Sequence, residues 1–591
     1  MIITRIITLK KAPSWSLFSL HRRRCATLLL ALLSVAGTAF AATPPAAAVA
    51  SAHPAATAAG VEVLKAGGNA FDAAVAVGAA LAVVEPYSSG LGGGGFWLLH
   101  VAKGGRDIMV DGRERAPLAA ERDMYLDEAG EFVPERSLNG PLAAGIPGQP
   151  AALAHLAVHY GRLPLAKSLA PAIRLARDGF AADPIYVRMA TWRADVLRAS
   201  PAAAAQFLEA GEVPAPGTLI RQPDLAATLE RLAERGRDGF YASPVAERLV
   251  AGVRDAGGIW TLDDLAAYQV VERAPITGRY HGWRIVSAAP PSSGGVALVQ
   301  MLNMLAGFDL DDLDRAGRVH LLAEVMRRAY RDRAQFLGDP DQVDVPVERL
   351  THPYYAAGLA RDIDLAHATP SRAALATGGG QGTDTTHYSI LDADGNRVAA
   401  TLSINYPFGS GFVPPGTGVL LNDEMDDFSA RPGVPNAYGL IGGEANAVAP
   451  GKRMLSSMSP TFVESADGVA ILGTPGGSRI ITMVLLGILD VVAGDGGPAD
   501  WVAAPRVHHQ FLPDEILFEP DALDGATRQA LRERGQHLKE VSRPYGNMQL
   551  IYWDRDANRV QAASDPRGIG AAEVIAAPAP TGPSDNPEEK P

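Results

Sequence analysis

The chain has 591 residues, enough for two to four average domains or one large fold. Its 47% hydrophobic and 20% charged content is that of a soluble protein with a sizeable core. A net charge of −12, with no basic stripe to neutralise phosphates, excludes a general nucleic-acid binder but leaves small acidic substrates open, because a local arginine overrides the global sign.

His21-Arg22-Arg23-Arg24 forms a basic start, Ala26 to Phe40 is apolar, and Ala39-Phe40-Ala41 fits a small-residue cleavage site. Residues 1–41 therefore read as a signal peptide, with the mature chain starting at Ala42, no stable membrane span and a periplasmic or secreted location. Cys25, the one cysteine, lies in this leader, so the mature chain is expected to lack thiol chemistry and thiolate metal sites.

After an Ala/Pro spacer, Ala55 to Ala66 reads as a helix stopped by Gly67-Gly68. Asn69 caps a second helix from Phe71 to Val84, apolar nearly all round and hence buried. In Ser88-Ser89-Gly90-Leu91-Gly92-Gly93-Gly94-Gly95 the glycines precede a strand, Phe96 to Val101. A phosphate-cradling loop has the reverse order, so a tight buried turn is the better reading. Asp111-Gly112-Arg113-Glu114-Arg115 follows a short strand, where pattern alone suggests surface ion pairs. Residues 140–340 are helix-rich; Pro290-Pro291-Ser292-Ser293-Gly294-Gly295 leads into a helix with Val296, Leu298, Met301 and Leu302 on its apolar face. Residues 340–384 grow polar and Gly-rich, marking a domain or processing boundary.

Gly378 to Asn405 is the stretch the chain is organised around. A glycine-rich approach ends at Asp384-Thr385; a strand runs to Leu391, Asp394-Gly395 turns it, and a second strand runs from Arg397 to Asn405. Alternation puts Thr385, His387 and Ser389 on one face and Thr401, Ser403 and Asn405 on another. A two-residue turn mismatches these faces by one residue. A three-residue loop or a bulge resolves the mismatch and sets Thr385 beside Ser403 or Asn405.

Asn422 to Phe428 carries four acids without calcium-loop spacing, so no metal is expected. Pro432 to Gly443 reads as a lid carrying Tyr438. Leu455 to Pro460 precedes a strand. Gly473 to Arg479 opens a helix through Ile480 to Val492, and the N–H groups of such a turn suit a negative oxygen. His508-His509 reads as structural, because adjacent strand side chains diverge. Residues 577–591 read as a disordered tail. No GxSxG, HExxH or CxxC occurs. A threonine becomes a competent nucleophile when it is N-terminal and its own amine serves as base, which requires a cut before Thr385.

Asp384-Thr385-Thr386-His387-Tyr388-Ser389 and Leu421-Asn422-Asp423-Glu424-Met425-Asp426-Asp427-Phe428-Ser429 resemble the gamma-glutamyltranspeptidase (glutathione hydrolase) family. Gly92 to Phe96, Pro432 to Gly439, Ser456 to Pro460, Pro475 to Arg479, Ala504 to Gln510 and Ser564 to Arg567 extend the resemblance in order, over residues 50 to 570. It implies an α+β fold, the four-layer αββα sandwich of N-terminal nucleophile hydrolases, made as a precursor and self-cleaved into a large subunit (42–384) and a small catalytic subunit (385–591) that stay together as a heterodimer. It implies that Thr385 attacks γ-glutamyl amides such as glutathione, forming an ester resolved by water or by an amino-acid or peptide acceptor, without cofactor.

By matching position, the resemblance assigns Gly476 and Gly477 to the oxyanion and Arg113, helped by Ser456 and Ser457, to the substrate α-carboxylate. Glu424 and Asp427 take the α-ammonium, with Asn405 and Ser403 nearby, and Tyr438 gates the pocket. Ser403 stands where a threonine is usual, and Thr474 where a serine often precedes Pro-Gly-Gly. The competing readings are a related glutaryl or cephalosporin acylase, whose substrates lack the α-ammonium, and a binding protein that is never processed.

Overall fold

The apolar runs of the chain bury themselves in two antiparallel sheets and the helices that cover them. The structure, a computed structural model, describes residues 43–371 and 385–576. The leader with Cys25, the Gly378–Asp384 approach and the C-terminal tail lie outside the described residues. The described residues from Pro44 onward form one compact unit.

In chain order the strands of the two large sheets are β1 (Ala46–Ser51), β2 (Gly94–Val101), β3 (Arg106–Gly112), β4 (Val271–Arg273), β5 (Ile276–Tyr280), β6 (Trp283–Ser287), β7 (Thr386–Leu391), β8 (Arg397–Ser403), β9 (Thr461–Glu464), β10 (Gly468–Gly473), β11 (Gln549–Asp554), β12 (Arg559–Ser564) and β13 (Ala571–Ala576). The first sheet runs β13-β1-β7-β8-β2-β3-β4, and the second β12-β11-β10-β9-β6-β5. Between them Ala48, Leu98, Leu391 and Ala399 meet Val286, Phe462, Ile471, Ile551 and Trp553.

Helices α1 (Pro54–Lys65) and α2 (Ala70–Val84) cover the outer face of the first sheet, where Tyr388, Val398, Ala400 and Leu402 join α2 in one core. Helices α3 (Gly294–Leu305), α4 (Arg315–Phe336) and α5 (Ile480–Ala493) cover the outer face of the second, against Ile285, Val463, Leu472 and Leu550. The result is the αββα sandwich that the resemblance implied. Every residue of α2 is buried, which accounts for its all-round apolar sequence. Asn69 and Asp72 close its N-terminus as a capping box, each side chain accepting an otherwise orphan N–H.

The β7–β8 hairpin settles the register question. Asp392 N–H donates to Asn396 O (3.0 Å) and Gly395 N–H to Asp392 O (3.1 Å), so the loop is Ala393-Asp394-Gly395. Gly395 supplies the positive φ of +88° that this three-residue loop needs. Leu391 pairs with Arg397 and Thr386 with Leu402, which continues to Thr385 opposite Ser403. No helix of the described residues is long and apolar enough to cross a membrane.

Candidate active site

Thr385 enters β7 almost fully buried, its Oγ1 3.3 Å from Ser403 Oγ. Ser403 Oγ also accepts the Asn405 N–H at 2.8 Å. Asn405 leaves β8 with φ +73°, a left-handed turn that asparagine tolerates. Its Nδ2 donates to Asp423 O (3.0 Å), and its carbonyl accepts the Tyr438 hydroxyl (2.6 Å). Thr385 itself holds φ +138°, a region costing a β-branched residue on the order of 1–3 kcal/mol. Thr386 points to the other face, where its hydroxyl donates to buried Glu85 at 2.7 Å. Burial pushes Glu85 up to about 7 against that hydrogen bond.

The glycine turn lies between β10 and α5. Gly476 has φ +142° and Gly477 φ +56°, and among the described residues neither N–H finds an acceptor. A Cβ on Gly477 would lie 2.5 Å from the Tyr438 ring, so that ring packs directly on this turn.

The acids and the arginine meet across the sequence. Asp111 accepts the Arg113 N–H (2.9 Å) and pairs with Arg273 (2.8 Å), fixing the chain at the end of β3. Arg113 Nη1 donates to Glu424 Oε2 at 2.6 Å, Nη2 to Asp427 Oδ2 at 2.5 Å, and Nε to Met454 O at 3.2 Å. Glu114 stands 3.6 Å away. Burial opposes the charge on Arg113, but Glu424, Asp427 and Glu114 hold it protonated. Burial pushes Glu114 and Glu424 up against the lowering pull of Arg113; Glu424 and Asp427 raise Glu114 further, and Asp427 raises Glu424. Three carboxyl groups thus share one guanidinium, with burial holding two of them toward the neutral form, so the cluster sheds excess negative charge rather than carrying it. The surface ion pairs suggested by pattern for Arg113 are therefore corrected: its hydrogen-bonded partners are acids 311 and 314 residues further along, and it is 1% exposed.

Ser456 and Ser457 are braced from behind. Ser293 gives its N–H and its hydroxyl to Ser456 O (2.8 and 2.7 Å). Arg333, buried in α4, donates Nε to Ser293 Oγ (3.0 Å) and Nη2 to Ser457 Oγ (3.2 Å). Arg333, Ser293, Glu114 and Glu85 escape sequence reading. Arg333 sits in an arginine-rich run that resembles a solvated face, and Glu85 signals itself only as an acid at a helix end before Pro86.

Thr385, Ser403, Asn405, Arg113, Glu424, Asp427, Tyr438, Ser456, Ser457 and Gly477 line one cavity; Gly476 adjoins it through the chain. Its volume is about 20 Å3, room for roughly one water. The Arg113 ion pairs occupy the site, and Tyr438 lies along its wall. His508 bonds to Thr482 Oγ1 (2.8 Å) and Gln510 (2.9 Å), and His509 to Asp514 (3.2 Å), so the two histidines diverge as expected. His100, Asp107 and Glu464 cluster closely, but Arg284 bridges both acids and Arg397 also pairs with Glu464, which balances their charge.

The family model described as Gamma-glutamyltranspeptidase matches residues 56–575. The glutathione hydrolase proenzyme of Escherichia coli strain K12 is 45% identical over 536 residues, 88% of this chain and 90% of that protein. The cephalosporin acylase structure from Bacillus halodurans superposes with a TM-score of 0.80 at 29% identity, covering 90% of this chain and 96% of that one. The gamma-glutamyltranspeptidase structure from Helicobacter pylori, 40% identical, gives a TM-score of 0.53 over 54% of this chain and 92% of its own.

Proposed function

The chain belongs to the gamma-glutamyltranspeptidase family, enzymes of the N-terminal nucleophile hydrolase fold, and from that premise we propose an exported glutathione hydrolase that matures by cutting itself before Thr385. The observation that carries the reading is the convergence of Thr385, the glycine turn and the Arg113 cluster on one cavity.

In the precursor, Thr385 Oγ1 attacks the carbonyl of Asp384 and the peptide nitrogen leaves as the new α-amine. Water then hydrolyses the ester, releasing residues 42–384 as the large subunit and 385–591 as the small one. The positive φ of Thr385 supports this step, because the dihedral is defined across the scissile bond and its strain is relieved by the cut.

In the mature enzyme the α-amine, with an ordinary pKa of about 7.7–8.0, takes the Thr385 hydroxyl proton as Oγ1 attacks the γ-glutamyl carbonyl. The unengaged N–H groups of Gly476 and Gly477 receive the developing oxyanion. The α-ammonium returns the proton to the leaving amine, and water or an acceptor amine resolves the ester. Ser403 positions the nucleophile, and Asn405 the strand end beneath it.

For the amino-acid end, Arg113 exchanges its internal partners for the α-carboxylate, with Ser456 and Ser457 completing that site. Glu424 and Asp427 then take the α-ammonium, so one set of ion pairs replaces another without leaving a buried charge alone. Tyr438 opens to admit the substrate. The likeness to an acylase raises a second reading, but a glutaryl group would leave the acids unmatched. Release of aniline from γ-glutamyl and glutaryl anilides tests both: the proposal expects the γ-glutamyl compound to be preferred by about 100-fold or more in kcat/KM, the scale of one buried charge pair. Equal rates, or a preference for glutaryl, would contradict it.

A further inference from the structure

Arg333, in the last turn of α4, is 5% exposed and pairs with no carboxylate among the described residues. Arg113, Arg328, Arg397 and Arg506 are comparably buried, and each holds an acid: Glu424, Glu324, Glu464 and Asp565 in turn. The Arg333 guanidinium donates instead to two hydroxyls, Nε to Ser293 Oγ and Nη2 to Ser457 Oγ. Burial pulls Arg333 below the usual guanidinium range, with Asp427 favouring its charge and Arg113 opposing it. An arginine keeps its proton at neutral pH all the same, so this is a buried cation without a counter-charge. The partial negative charge at the end of α4 offsets part of that cost.

The two serines in front of it are set for an incoming acceptor. Ser456 Oγ accepts the Met458 N–H at 3.1 Å, and Ser457 Oγ accepts Arg333 Nη2 at 3.2 Å. Among the described residues neither hydroxyl donates, so each keeps its proton for a group entering the cavity that both line. We propose that Arg333 is a positioning residue for the substrate α-carboxylate, orienting the Ser457 hydroxyl and supplying the second positive charge of that site. The inference rests on the hydrolase reading above and adds a residue to it. Arg113 is shared among three carboxyl groups, whereas no acid of the protein neutralises Arg333. A carboxylate leaving water for this site therefore meets a cation that was buried without a partner. Arg333 does not line the cavity, so it acts through Ser457, whose hydroxyl is polarised by the charged donor behind it. One turn earlier on α4, the Tyr330 hydroxyl donates to Ser478 O beside the glycine turn. A general disturbance of α4 would thus reach the oxyanion donors as well, and would show in kcat.

The test compares three anilides on the purified two-subunit enzyme: γ-glutamyl, 4-aminobutanoyl, which lacks the α-carboxylate, and glutaryl, which lacks the α-ammonium. In Arg333→Met the preference for γ-glutamyl over 4-aminobutanoyl in kcat/KM should fall by about tenfold, the scale of one hydrogen bond to a charged group. The preference for γ-glutamyl over glutaryl should not change, because both compounds keep the carboxylate. The loss should appear in KM, with kcat for the γ-glutamyl anilide retained. Arg333→Lys keeps the charge and should recover most of the preference. Ser293→Ala detaches Nε while leaving the charge in place, and should lower the same preference by about threefold. An unchanged preference in Arg333→Met, or in Ser293→Ala if Arg333→Met does not fold, would overturn the role, as would an equal loss on all three anilides. A wild type that does not favour γ-glutamyl over 4-aminobutanoyl contradicts the α-carboxylate site itself, and with it the hydrolase reading beneath.

Discussion

Ser403 Oγ stands 3.3 Å from the Oγ1 of Thr385, the proposed nucleophile, at a position where the resemblance implies a threonine. Ser403→Ala removes that contact and the acceptor of the Asn405 N–H. It should slow both maturation and kcat by about tenfold or more, the value of one to two buried hydrogen bonds. Ser403→Thr should restore or exceed the wild-type rates. Time courses of subunit appearance on gels and anilide kinetics check both. Gly477→Ala combines strain at φ +56° with a Cβ 2.5 Å from the Tyr438 ring. A fall in kcat of about 100-fold or more is expected from displacing one oxyanion donor; a variant with wild-type kcat would remove Gly477 from the chemistry. Thr385 and the acidic pair were legible because long motifs surround them, and Arg113 only by its matching position in the resemblance. Glu114 and Arg333 were not, since periodicity sees which face a residue occupies and not which distant charge it meets there.

At the scale of elements, alternation located the β7–β8 hairpin but left its turn open between a three-residue loop and a bulge. The deciding contacts are backbone hydrogen bonds between Asp392, Gly395 and Asn396, supported by Asp392 Oδ1 accepting the Asn396 N–H at 2.9 Å. A composition-based reading does not rank such local bonds. Pro/Gly content marked the Tyr438 segment as a loop, whereas the tether of Tyr438 to Asn405 O was not legible. Tyr438→Phe deletes that tether while keeping the ring. Loss of one buried hydrogen bond should raise KM for the γ-glutamyl donor about three- to tenfold, and steady-state kinetics on the anilide measures it. An unchanged KM would mean that the hydroxyl does not hold the lid.

Across the whole molecule, segments from both sides of residue 385 alternate in the sheets. β7 and β8 lie between β1 and β2, and β6 pairs with β9. This interleaving follows from chain order only once strand pairing is known, so the sequence showed layers through the resemblance and not through pattern. It predicts that a cleaved enzyme stays together through sheet hydrogen bonds and shared cores, separating only in denaturant; size-exclusion chromatography with and without urea checks this. Acid stability carries a further signature. Burial lowers His508 from 6.5 to about 3. Between those values the unfolded chain takes up a proton that the native state refuses, so His508 makes stability fall as pH falls, by up to about 1.4 kcal/mol per pH unit. His508→Gln should therefore lose less stability than wild type between about pH 7 and pH 5, in denaturant titrations at both. Whether Thr385 becomes an N-terminal nucleophile is read from intact-mass spectrometry of the purified protein. Two chains are expected, one beginning at Thr385, and a single uncut, inactive chain for Thr385→Ala; a wild type that stays whole yet active, or a Thr385→Ala variant cut at the same bond, would contradict that role.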